Sequence, residues 1–322
     1  MVTGAFVEVA PPRPFDGIAA TRPAPTRPAL TRRLMRAAPP YLYLAPALIL
    51  LVVWTYWPLA QTFHLSFHSW DLLPTSPLTS AGTANYERLL TTPALGRSVG
   101  RTFVVIAGML PFTVVVPLVV GLLTRGVRGR TGAAYRGMVF APMLIAPVAG
   151  AVAWMFLLDP GAGAVNAVLR TDVNWLNDTA TAQWAIIVIA GWHLVGFAVL
   201  VVSAGLASID PEYAAAARVD GASRGQITRW ITLPLLSPTL AFLVLMTVLL
   251  SAQWTFPLID TLTQGGPSGS TTTVYYLLWE YGFRSHDAGL TAAAGMLFFV
   301  GFMLPAAVLV RLADRTAREE GA

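Results

Sequence analysis

Residues 209–238 read IDPEYAAAARVDGASRGQITRWITLPLLSP, a polar, small-residue segment set between two long apolar runs. Asp210 is a good N-cap, Pro211 suits the first helical position, and Glu212 puts negative charge at the positive end of a helix dipole. A helix therefore starts at 211. Four alanines, residues 214–217, carry it forward, and Asp220-Gly221 stops it with a glycine available for a left-handed position. Ser223 and Gln226 make an S-x-x-Q capping box for a second helix bearing Ile227, Trp230, Ile231 and Leu233. Pro234 and Pro238 mark where that helix is expected to break and the next apolar run to begin. Side chains as small as alanine let a helix lie deep in a groove on another protein. The alternative, an amphipathic helix lying on headgroups, calls for a basic polar face and bulky apolar anchors, and AAAA supplies neither.

The surroundings of this segment are lipid-like in composition. The 322 residues are 55% hydrophobic and 11% charged with a mean hydropathy of +0.62, too apolar for a soluble chain of this length. Cysteine is absent, which excludes disulfides, thiol catalysis and Cys-ligated metals. Lysine is absent too, which excludes a P-loop and Schiff-base chemistry. If ATP drives this protein, another chain hydrolyses it. Residues 1–40 interleave proline and arginine (Pro11, Pro12, Arg13, Pro14, Arg32, Arg33) and are expected to be a disordered tail, held near anionic headgroups or docking on a partner.

A bilayer core needs about 20 apolar residues per helix. Six runs qualify, at about 41–63, 101–123, 137–158, 183–207, 239–259 and 289–312. Their prolines suggest kinked helices around a cavity, since neighbouring helices can satisfy freed carbonyls. Arginines concentrate in the tail, in the 124–136 and 208–238 loops and at the C-terminus; the alternate loops hold only Arg88, Arg97, Arg101, Arg170 and Arg284. By the positive-inside rule, both termini and the opening segment face the cytoplasm. Outward loops carry Trp70, Tyr86, Trp175, Trp279 and Tyr281, either an interfacial aromatic belt or a docking surface for an external partner.

The runs hold no Asp or Glu in their cores, Asp260 standing at the very end of the fifth, and His193 is the one ionisable group deep in a span, a packing residue or a relay. Ion coupling usually needs such a group, so energy for transport is expected from outside the membrane domain. His64, His68, His193 and His286 lack metal-site spacing, and no nucleophile and base constellation is evident, so no catalytic, cofactor or metal residues are expected.

Ala215-Ala216-Ala217-Arg218-Val219-Asp220-Gly221-Ala222 followed by Ile231-Thr232-Leu233-Pro234 resembles the "EAA" loop of binding-protein-dependent ABC transporter permeases. Ala216, Ala217, Asp220, Gly221, Ala222, Leu233 and Pro234 match that motif, while Ala215 stands where its glutamate would be. The likeness extends over about residues 41–312. Asn85-Tyr86 resembles the "GLxNY" of the first external loop of the carbohydrate-type subgroup, and Arg136 to Asn166 its third span and following "dp.fG..N" turn. Trp192-His193 with Gly196-Phe197 resembles the fourth span, Leu262 to Pro267 the "LTxGGP" turn, and Tyr281-Gly282-Phe283 with Gly289, Ala292 and Ala293 the lead-in to the last.

The resemblance implies an all-α integral membrane protein of the type I importer fold. It would have six transmembrane helices and a cytoplasmic helix-turn-helix that docks on an ATPase. Its segments would be the tail 1–40, a first helix and external loop over 41–96, the importer domain over 97–312 and a cytoplasmic tail over 313–322. It implies a multi-pass place in the cell membrane, a sister permease in a heterodimer, two copies of the ATPase that bind ATP and Mg, an extracytoplasmic binding protein, and no nucleic acid. Sugars are recognised by aromatic faces and by amides or carboxylates. The end of the fifth run supplies these in Gln253, Trp254, Phe256 and Asp260, with Trp192 and His193 as further path candidates; Pro257 stands where the family frequently has Asp or Asn. The cargo expected is a neutral sugar, with glycerol-3-phosphate or a related polyol phosphate as the alternative, since the span interiors carry no cation. A self-contained channel or ion-coupled carrier is the alternative of another class.

Overall fold

The computed structural model describes residues 43–127 and 129–319. The expected tail over residues 1–40 and the last residues of the expected C-terminal tail lie outside them. Two units are distinguished, residues 1–58 and residues 59–322. Within the described part of the first lies most of helix α1, Tyr43–Leu65, whose apolar side chains, Ile49, Leu50 and Trp54 among them, are exposed.

In the second unit, after the last residues of α1, comes a two-stranded antiparallel ladder, β1 (His68–Ser69) and β2 (Thr79–Ser80), with His68 opposite Ser80. Helices follow: α2 (Ala84–Thr91), α3 (Pro93–Thr124), α4 (Gly129–Leu144), α5 (Pro147–Leu157), α6 (Ala164–Leu169), α7 (Ala182–Ser208), α8 (Pro211–Val219), α9 (Arg224–Leu262), α10 (Val274–Trp279) and α11 (Ala288–Glu319). Where six spans are expected, four of the described helices, α1, α3, α7 and α9, are long and apolar enough to cross a membrane; α11 has an apolar stretch only over Ala288–Leu304. The third expected span is a bent pair, α4 and α5, turning through 94°. The residue before a proline is pushed out of the helical region, and Ala146, ahead of Pro147, is extended at φ −55°, ψ 134°.

The expected break at Pro234 does not occur: α9 runs unbroken from Arg224 through Pro234, Pro238 and Pro257 to Leu262. A wide π-turn, Thr228–Thr232, ends two residues before Pro234. The same spacing recurs at Val52–Tyr56 before Pro58 and at Pro111–Val115 before Pro117. In each turn an N–H reaches back five residues, Trp57 to Val52, Val116 to Pro111 and Leu233 to Thr228. A proline in a helix lacks its own N–H and its ring crowds the carbonyl four residues back. That carbonyl, on Trp54, Thr113 or Trp230, lies inside the widened turn, so the helix absorbs the proline there without ending.

Helix α7 is the packing axis, with 67% of its apolar window buried against 22% in α3 and 17% in α9. Its N-terminal half packs Ile186, Ile187, Ile189 and Leu194 against Met109 of α3, Ala151 of α5 and Leu258 of α9; its C-terminal half packs Ala198, Val202 and Leu206 against Leu236 and Leu243. Fully burying such side chains stabilises by about 1.5–3 kcal/mol each in water, but in lipid close packing and interhelical hydrogen bonds take over that role. One such bond joins α9 to α3: the Thr247 hydroxyl donates to Thr113 Oγ1 (2.7 Å), which donates to the Met109 carbonyl (3.0 Å). Gly196 on α7 sits where a Cβ would collide with the backbone of Val139 and Phe140, so glycine sets how closely α7 meets α4.

Candidate functional site

The opening segment folds as its caps predict. The Asp210 carboxylate accepts from the Glu212 N–H (2.9 Å), and α8 ends at Asp220 with Gly221 at φ +83°, left-handed backbone that suits glycine. Ser223 and Gln226 close the capping box, the Ser223 N–H donating to Gln226 Oε1 (2.7 Å) and the Gln226 N–H to Ser223 Oγ (3.4 Å). Ala215 and Ala216 are exposed, Ala217 is half-buried, and Val219 beside them is 89% exposed. A groove of about 310 Å3 follows the turn, lined by Asp220, Gly221, Ala222, Gln226, Trp230 and Ile231. Trp230 is exposed, with the Arg229 guanidinium 5.3 Å from its ring. Leu233 and Pro234 lie beyond the π-turn, half-buried and exposed, in the stem of α9. The pair of helices is therefore a knuckle whose second arm is itself the membrane-length α9.

Further along α9 the six path candidates separate into two groups. Trp192 and His193 of α7 meet Trp254 of α9 and Trp154 of α5: ring centroids are 5.6 Å apart for Trp154 and Trp192, 4.8 Å for Trp192 and His193, and 5.5 Å for His193 and Trp254. His193 is fully buried; its Nδ1 lies 3.0 Å from the Ile189 carbonyl, which makes Nδ1 the protonated nitrogen and leaves Nε2 as an acceptor without a partner. Nε2 faces Gly150 of α5, where a Cβ would stand 2.7 Å away.

Gln253 and Phe256, one helical turn apart, face elsewhere. Gln253 is exposed and lines a groove of about 660 Å3 with Leu59, Thr62, Tyr275, Met296 and Phe299. Phe256 joins Tyr275 (5.4 Å), Tyr276 (5.9 Å) and Trp279 (5.8 Å). The Arg284 guanidinium stacks 5.0 Å from the Trp279 ring and pairs with Glu280 at 3.5 Å. Asp260, half-buried, adds its charge to the surroundings of Tyr276, whose hydroxyl is buried. Burial pushes that phenol up to about 12, Arg284 opposing and the Asp260 and Glu280 carboxylates reinforcing the shift. Tyr275, Tyr276 and Arg284 were not singled out from sequence. The signal was present in the aromatic run that follows Thr271-Thr272-Thr273, but nothing local shows that it folds back onto α9.

The loop motifs prove to be architectural. Buried Asn85 donates to the carbonyls of Ser66 (3.0 Å) and His68 (2.9 Å), and Tyr86 donates to Ser66 Oγ (2.8 Å). Asn166 donates to the Val173 carbonyl (2.9 Å) and accepts from Trp175 Nε1 (2.7 Å), so Trp175 is anchored inward. In the 262–267 turn, Thr271 donates to the Gly266 carbonyl (2.9 Å) and Thr272 to the Gly265 carbonyl (3.1 Å).

The family model described as binding-protein-dependent transport system inner membrane component matches residues 90–319. The chain belongs to this family. Among similar proteins, a probable ABC transporter permease protein of Pyrococcus horikoshii is 30% identical over 289 residues, 86% of this permease and 99% of the relative. The sn-glycerol-3-phosphate transport system permease protein UgpA of Agrobacterium fabrum is 32% identical over 268 residues, 81% of this chain and 89% of the relative. The fold is shared with a permease chain in the crystal structure of a bacterial ABC transporter involved in import of the acidic polysaccharide alginate (TM-score 0.76, 23% identity, 89% of this chain and 98% of that one). This permease is thus a membrane protein of the importer class with the type I fold.

Proposed function

We propose that this permease passes a neutral sugar from an extracytoplasmic binding protein to the cytoplasm, paired with a sister permease and driven by two copies of a cytoplasmic ATPase that bind ATP and Mg. The supporting observation is mechanical. The exposed alanine surface of α8 turns through Gly221 into α9, and α9 runs through its π-turn to Gln253, Trp254, Phe256 and Asp260. A push on α8 from a docked ATPase would travel along one 39-residue helix to the candidate path. The arginine distribution supports a cytoplasmic side for α8 and both termini. With Ala215 in place of a glutamate, docking rests on shape, on Asp220 and on the groove beside it.

The sugar reading rests on the groove at Gln253, which is lined by an amide, a phenol and apolar rings and has no cation. A second reading, glycerol-3-phosphate or a related polyol phosphate, draws support from the UgpA relatives and from Arg284 among the aromatic rings beside Phe256. ATP-dependent uptake by proteoliposomes holding all four kinds of subunit, measured with labelled maltose and labelled sn-glycerol-3-phosphate, separates the two. Ala216→Trp or Gly221→Trp is expected to abolish uptake and ATPase co-purification while membrane insertion persists; unimpaired uptake in both variants refutes docking through α8.

A further inference from the structure

Where α3 ends and α4 begins, beside the last turns of α7, a cleft of about 330 Å3 is lined by Arg125, Tyr135, Arg136, Ser203, Leu206 and Pro211, among others. None of its lining residues is acidic. The ion pairs of the described residues are Arg88 with Asp287 and Arg284 with Glu280, so neither cleft arginine is paired. The acids closest in sequence, Asp210 and Glu212, flank Pro211 and are exposed, and Asp210 is engaged as the N-cap of α8. The hydroxyls of Ser203 and Thr124 donate to backbone carbonyls of their own helices (both 2.7 Å). Both arginines are exposed, so the two guanidiniums offer solvent-facing donors at a cleft that contains no counter-charge of its own.

The depth of the cleft selects its ligand. Three of the contributing helices enter it at the limit of an apolar run: Thr124-Arg125 directly after Leu122-Leu123, Ser203 to Ala207 at the end of α7, and Arg136 directly before the apolar second half of α4. That is the level of lipid headgroups. On the adjoining turns of α3, Val119 (48%) and Leu123 (78%) are exposed, an apolar flank along which acyl chains can lie. We propose that this cleft binds the phosphate-bearing headgroup of an anionic phospholipid, Arg125 and Arg136 clasping the phosphate oxygens, since a guanidinium fork matches phosphate geometry. Pro211 forms part of the wall, so an occupied cleft braces the junction of α7 and α8. The binding does not depend on which substrate is transported.

The test is native mass spectrometry of the delipidated transporter complex titrated with dioleoyl phosphatidylglycerol or dioleoyl phosphatidylcholine in detergent, with an inorganic phosphate competition arm. Phosphatidylglycerol is expected to bind preferentially, and Arg125→Gln with Arg136→Gln to weaken it on the order of 30-fold, the contribution of two arginines near an anionic surface. Arg125→Lys with Arg136→Lys, which keeps the charge, should recover part of that loss, and gel filtration verifies that each variant remains assembled. Equal retention of both lipids, or phosphatidylglycerol binding unchanged in the Gln variant, overturns the proposal. Displacement of the lipid by inorganic phosphate at equal concentration overturns it in favour of a soluble phosphate site. Loss of the ATPase from the Gln variant with lipid binding intact assigns the arginines to the partner and overturns it as well.

Discussion

Gly150 on α5 faces the tip of His193, and adding a single methyl there probes how tightly α5, α7 and α9 are locked. A Cβ at 150 would stand 2.7 Å from Nε2 and 2.8 Å from Cε1. Restoring a 3.4 Å contact requires the ring to retreat by about 0.7 Å. It has little freedom to do so, being tied through Nδ1 to the Ile189 carbonyl at 3.0 Å and flanked by the Trp192 and Trp254 rings at 4.8 and 5.5 Å. Overpacking of this kind costs about 1–3 kcal/mol. At about 2–4 °C per kcal/mol for a chain somewhat shorter than this one, Gly150→Ala is expected to lower the thermal midpoint by roughly 2–12 °C. The specific signature lies in a double-mutant cycle. His193→Ala alone leaves a hole, whereas in the Gly150→Ala background the new methyl partly fills it, so the double variant should be more stable than the sum of the singles by at least about 1 kcal/mol. The assay is fluorescence-detected thermal unfolding of the purified complex in one detergent. A Gly150→Ala protein with an unchanged midpoint, or strict additivity in the cycle, refutes the reasoning that the His193 ring is the contact between these helices.

Asn85→Ala removes both hydrogen bonds to Ser66 and His68 in a buried corner and should destabilise by about 1–3 kcal/mol, seen as faster amide exchange across the β1–β2 ladder with substrate binding by the external partner unaffected. Burial raises the Glu280 carboxyl above its ordinary value, Arg284 opposing it. The folded protein therefore holds this proton more tightly than the unfolded chain does, so stability falls as pH rises from the unfolded value through the raised folded one. Glu280→Gln should remove that part of the pH dependence and raise the midpoint at neutral pH; a wild-type curve that climbs over the same window while the variant's is flat would contradict the assignment.

Some of this architecture was legible because it is local. The caps at Asp210 and Ser223, the stop at Gly221 and the ends of α7 within one residue of the apolar run at 183–207 depend on contacts no more than four or five residues apart. Pro234 misled for the same reason. A proline removes a local hydrogen bond and so signals a break, yet a π-turn just upstream widens the helix enough to carry it, and Ile227, Thr232 and Leu236 are buried on either side of that turn and within it. The path candidates show the limit differently. Gln253 and Trp254 are neighbours in sequence but 100° apart around a helix, and only the packing of α7 and α11 against α9 sends one into the histidine and tryptophan cluster and the other into an open groove.

Taken alone, the amino-acid sequence determined that the chain is a membrane protein with apolar runs of spanning length, that a capped alanine helix and turn interrupt those runs, and that the chain has no lysine with which to build a P-loop of its own, because composition, hydropathy and capping are written in consecutive residues. Tertiary structure decided that α9 runs unbroken from the turn after α8 through Pro234, that the third run is bent at Pro147, that Asn85 and Asn166 hold loops together, and that Arg125 and Arg136 share one cleft. Those features join residues that are remote in sequence, or choose between two locally acceptable backbones. The energy that settles them comes from side chains meeting across helices, which no single stretch of sequence contains.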